Sequence, residues 1–171
     1  MYKDGICRTD DNHYTKTIQF FDINYQLAQN EDKTAIFDSY CEFLNYFDCS
    51  INAQLSFLNQ LSDLEEFEKM IELAPQGDGF DDIRSEYSEM LKNQLAKGNN
   101  GLVRTKFITF GIEAENLREA KSKLERIEAD IISNFKTMGV LAQPLNGAER
   151  LAILHRCFNP DGREKFRFSW E

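Results

Sequence analysis

The chain has 171 residues, 42% of them hydrophobic and fourteen of them Phe, enough apolar mass for one packed domain and too much for a disordered segment. A net charge of −9 argues against a general nucleic-acid binder, which needs a basic face to neutralise phosphates, and against adhesion to an anionic membrane surface. No apolar run approaches the roughly 20 residues of a membrane-spanning helix, MYKDGICRTDD has no apolar signal core, and Cys7, Cys41, Cys49 and Cys157 form no CxxC pair, so a cytoplasmic chain with reduced thiols is expected.

Residues 5–8 and 14–23 read as strands joined around Asp10, Asp11 and Asn12. Asn30, Glu31 and Asp32 supply a cap and an acidic first turn for a helix over 31–48, with Ile36, Phe37, Tyr40, Phe43, Leu44 and Phe47 as its buried face. In INAQLSFL, 51–58, Ile51, Ala53, Leu55 and Phe57 alternate with Asn52, Gln54 and Ser56, the pattern of a half-buried strand.

An insertion over about 60–101 reads as a helical hairpin. Ser62 to Glu65 spell a capping box, and Leu64, Phe67, Met70 and Ile71 mark the inner face of the first helix. Pro75, Gly77 and Gly79 break it, and a second helix over about 80–97 is expected to turn Phe80, Ile83, Tyr87, Met90, Leu91 and Leu95 inward.

A strand over 103–112 and a helix from about 115 to 138 follow. Leu117, Ala120, Leu124, Ile127, Ile131, Phe135 and Met138 lie along one side of that helix, and Gly139 is placed to end it. GVLAQPL holds a short strand, 147–157 a last helix, Asn159 to Gly162 a turn, and KFRFSW a final strand. YTKTIQFFDI (14–23) and RTKFITFGIE (104–113) share the pattern Thr-Lys-x-Ile-x-Phe, and each opens a strand-helix-strand unit. Two such units in tandem predict an α+β domain spanning 1–171: a split βαβ, ferredoxin-like sheet with helices on one face and the acidic hairpin inserted.

Between residues 62 and 91 ten acids face only Lys69 and Arg84, which accounts for −8 of the total charge. This makes Glu65, Glu66, Asp81, Asp82, Glu86 and Glu89 the candidate face for a basic partner, beside the simpler reading of a solvated, solubilising surface. Evidence of chemistry is thin. No GxxxxGK[ST] string exists, and Gly98-Asn99-Asn100-Gly101 follows a helix and precedes a strand, the reverse of a phosphate loop. His155 and Cys157, two apart on a helix, diverge, and GDGFDD (77–82) lacks the order of a calcium loop, its acids suiting a helix start. The expectation is a non-enzyme without cofactor or metal. Two alternatives stand beside it: a hydrolase with a Cys–His or carboxylate site assembled in space, and a single-strand nucleic-acid platform on TIQFF and KFRFSW.

DGICR, YTKTIQFFDINYQLAQNEDKTAIFDSYCEFLNYFD, QLSFLNQ, QGDGFDDIRSEYSEMLKNQLAKGNNGL, TKFITFGIEAENLREAKSKLERIEADI and KFRFSWE occur in this order. Together they resemble the N-terminal region of the conjugative type IV secretion ATPases, in particular the TrsE/TraE-like transfer ATPases of Gram-positive conjugative elements. The resemblance implies part of a larger protein, whose P-loop motor would follow this region, and the ends at MYKDG and Glu171 read as those of an excised piece. It further implies docking to channel proteins at the inner membrane face, contact with the chain's own motor domain and a possible homo-oligomer. No nucleic acid is expected to bind directly. No position matches a Walker motif or arginine finger, so the resemblance assigns no hydrolysis here.

Overall fold

A computed structural model describes the chain apart from residues 24–29, 62–72, 75, 99–101, 161–163 and 171. In chain order the elements are β1 (Cys7–Arg8), β2 (His13–Phe20), α1 (Asn30–Asn45), β3 (Asn52–Leu61), α2 (Asp81–Gly98), β4 (Leu102–Glu113), α3 (Leu117–Thr137), β5 (Ala142–Pro144) and α4 (Gly147–Phe158). Every strand pair is antiparallel. β4 lies between β2 and β3, and the other edge of β2 carries β1 at one end and β5 at the other. β2 and β3 therefore run parallel with β4 inserted between them, which is the predicted split βαβ arrangement.

The register explains the sequence echo. Ile18 sits opposite Ile108, Lys16 opposite Phe110, and Phe20 opposite Lys106. The two Thr-Lys-x-Ile-x-Phe copies are thus related by a local two-fold through the isoleucine pair, and each lysine meets the other strand's phenylalanine. Alternation sends Tyr14, Lys16, Ile18 and Phe20 to one face together with Ile108, Phe110 and Ile112. Both lysines lie on this face and each finds a carboxylate. Lys16, only 6% exposed, reaches Glu128 of α3 at 2.6 Å, and Lys106 pairs with Asp22.

α3 covers that face. Asn116 caps it by accepting the Glu119 N–H at 3.0 Å, and the helix ends in a Schellman turn in which the Gly139 N–H donates to Lys136 and the Val140 N–H to Phe135. Gly139 takes φ +74°, a conformation that suits glycine. Ala120, Leu124, Ile127, Ile131, Phe135 and Met138 are all buried, as their spacing predicted. Phe135 is the hub, its ring stacked on Phe20 at 5.1 Å and tilted against Phe43 at 4.9 Å.

Three expectations require correction. Of the six apolar residues assigned to the buried face of α1, only Phe43 is buried, while Phe37, Tyr40 and Leu44 are exposed, because α1 packs along α3 rather than over the sheet. Ala53, Leu55 and Phe57 of β3 are likewise exposed, since no helix covers this edge strand among the described residues. KFRFSW forms no strand. It has no ladder partner among the described residues, and Phe166, Phe168 and Trp170 contact one another in sequence while Phe166 also meets His155. The first helix of the hairpin, with its capping box, lies outside the described residues; the second is α2.

Candidate docking surface on the inserted helix

The approach to α2 is tied into a knot by Arg84. Its guanidinium donates to Asp78, to Asp81 at 2.8 Å and to Gln76 at 3.4 Å. Asp81 also accepts the backbone N–H groups of Gln76 at 2.8 Å and Gly77 at 2.9 Å. Donation from the Gln76 amide, then from the Gly77 amide and Arg84, holds the Asp81 carboxyl below its ordinary range, and Arg84 with the Phe80 amide does the same for Asp78. These two acids therefore build the turn, and Asp81 does not belong to a free partner-binding face. The same hydrogen bonds occupy the carboxylates that a calcium ion would need, and no group of metal ligands occurs among the described residues.

Asp82, Glu86 and Glu89 are exposed and lie in one row along α2. Glu65 and Glu66 fall outside the described residues. One residue further along from each member of the acidic row, about 100° around the helix, runs a second row: Ile83, Tyr87 and Met90, continued backward by Phe80. These four side chains were expected to face inward. Instead they are 58%, 61%, 50% and 49% exposed for Phe80, Ile83, Tyr87 and Met90 respectively. The packed side of α2 is marked by Ser88, which is 6% exposed and whose hydroxyl accepts the Leu73 N–H at 3.2 Å. Hydrophobic spacing was therefore legible, but its direction was not. The signal available in sequence was the polar Arg84–Ser88 side, which turns inward because it satisfies the preceding loop.

The imidazole most open to an acid–base reading is His13, which lies against the sheet beside Gly111. A Cβ at Gly111 would come within 2.8 Å of the ring. Its Nδ1 is 2.7 Å from the Thr9 hydroxyl and its Nε2 is 3.2 Å from the Asn52 amide nitrogen. That amide can only donate, which makes Nε2 the acceptor and Nδ1–H the donor toward Thr9. The ring then has no lone pair aimed at the hydroxyl, and the Thr9–His13–Asn52 contact staples the β1–β2 turn to the start of β3. His155 meets Phe166 rather than a thiol, and the Cys7 thiol donates to the Arg8 carbonyl.

A half-buried cation is equally structural. Arg150 of α4 donates to the carbonyls of Gly5 at 2.6 Å and Thr15 at 2.8 Å and to the Thr15 hydroxyl at 3.1 Å, which anchors α4 to β2 and the N-terminal turn. Burial lowers its pKa. Of the two aromatic residues of TIQFF, Phe20 stacks on Phe135 and Phe21 stands exposed. No described helix is long and apolar enough to cross a membrane. Comparison of the chain with protein-family models, curated proteins and solved structures returns no match, so the architecture and this surface stand as the basis for assigning a role.

Proposed function

We propose that the chain is a non-catalytic docking and assembly domain of a conjugative type IV secretion ATPase, contacting channel proteins at the cytoplasmic face of the membrane while a P-loop motor elsewhere in the protein hydrolyses ATP. The observation that carries the docking part is the α2 surface: four large apolar side chains in one row, rimmed by Asp82, Glu86 and Glu89. An apolar strip beside a charged row fits an amphipathic partner segment with basic flanks, the strip giving affinity and the charges steering encounter. The ordered sequence segments that resemble the transfer ATPases support the family part.

The test uses purified channel components of the conjugative apparatus and a variant carrying Asp82→Lys, Glu86→Lys, Glu89→Lys and Tyr87→Ser, with Asp81 and Arg84 kept so that the turn survives. The affinity is expected to fall at least about tenfold, with an unchanged circular dichroism spectrum. Undiminished affinity would remove α2 as the docking surface, and no affinity of the native chain for any channel component would remove the proposed function.

A further inference from the structure

β3 ends the sheet on one side. Among the described residues it pairs only with β4, through ten consecutive register positions from Asn52 to Leu61, without a bulge. Its sequence, NAQLSFLNQL, contains no charge, proline or glycine. Exposed edges of soluble proteins are ordinarily blunted by lysine, proline, bulges or shortness, because unpaired N–H and C=O groups template pairing with another chain. None of those devices is present. Leu55 and Phe57 moreover stand 44% and 61% exposed on the face that α1 leaves uncovered.

We propose that this edge pairs with the same edge of a second copy, antiparallel about a two-fold axis at Ser56, so that one sheet runs through both chains. Ser56 lies between the two large apolar residues that the strand leaves exposed. Leu55 and Phe57 flank it, and Asn52 and Gln60 stand at equal distances on either side. In this register Leu55 of each copy lies opposite Phe57 of the other. The exposed apolar pair is thus complementary to itself, which is what an isologous contact requires. Charge selects the same occupant: a chain of net charge −9 repels its own copy over most surfaces, and β3 offers ten residues where acid never faces acid. The edge is roughly 33 Å long, which puts the interface in the small class below about 1,200 Å² and the affinity in the micromolar range. This surface is separate from α2, and its test does not depend on the proposed function.

Sedimentation equilibrium of the native chain from about 1 to 300 μM is expected to show monomer–dimer exchange, with amide hydrogen exchange across 52–60 slowing as the dimer forms. The variant Leu55→Lys/Phe57→Lys places lysines opposite one another and is expected to weaken the dimer by at least about tenfold. A native chain that stays monomeric throughout that range overturns the proposal, as does a dimer whose β3 amides gain no protection or which the lysine pair leaves intact.

Discussion

The molecule contains the same unit twice, with opposite outcomes. In the second unit, β4–α3–β5, the helix buries a full stripe from Ala120 to Met138 and carries the core. In the first, β2–α1–β3, the strand β2 is central and buried, yet among the described side chains of α1 only Phe43 is buried, and β3 leaves Ala53, Leu55 and Phe57 open. The units begin with the same Thr-Lys-x-Ile-x-Phe strand, so the divergence lies downstream of it. One helix settles over the sheet and makes the core, and the other rests on its neighbour's flank and leaves apolar surface for a partner. Burial sufficient for stability is achieved by half of the repeat, which frees the other half for contact.

The sharpest way to break this comparison is to truncate matched leucines. Leu124→Ala in α3 removes a side chain with no exposed surface and should cost about 3–4 kcal/mol in urea unfolding, the range for a core cavity. Leu44→Ala in α1, at a site 43% exposed, should cost less than about 1 kcal/mol. Equal costs would mean that α1 is as much a part of the core as α3.

The repeated lysines give a second, smaller contrast. Lys16 and Glu128 are both largely withdrawn from water, their side chains 7% and 17% exposed, whereas Asp22 beside Lys106 is 81% exposed. Glu128→Ala leaves a buried ammonium without its counter-charge and should cost about 2–3 kcal/mol, while Asp22→Ala should cost at most about 1 kcal/mol. Replacing the pair together, Lys16→Met with Glu128→Leu, should recover most of the loss. Thermal denaturation of the three variants beside the native chain checks the order. A double variant as unstable as Glu128→Ala alone would show that the pair's shape, not its charge, matters.

The strand pattern and the α3 stripe were readable because local periodicity and burial coincide there: Ile18, Ile108 and Leu124 obey both. The exposed faces of α1, β3 and α2 were not, because periodicity reports which side of an element is apolar and says nothing of whether another element covers it. Phe37 and Phe57 look like core in sequence because their partners are a matter of tertiary placement. KFRFSW has the alternation of a strand but, among the described residues, no neighbour to pair with, and a ladder requires two strands. Asp81 belonged to the acidic face by charge count, and only the loop geometry reveals that the Gln76 and Gly77 amides hold its carboxylate.

The subtlest contrast lies at a polar tie between the end of α1 and α3. Tyr46, just past the end of α1, donates its phenolic hydroxyl to Asp130 of α3 at 2.9 Å. Burial, together with that bond and the charge of Asp130, pushes the phenol up from 10.0 to about 12. The bond requires the neutral phenol. Because the folded-state value is the raised one, its contribution is fully present below pH 10 and fades as the pH climbs through 12. Tyr46→Phe should therefore cost about 1 kcal/mol at neutral pH, measured by urea unfolding, and the gap between native chain and variant should close across that alkaline window. Absorbance of tyrosinate would show one phenol ionising late in the native chain and absent from the variant. A gap that stays constant with pH would show that the loss does not come from the bond to Asp130 and leave α1 held to α3 by apolar contact alone.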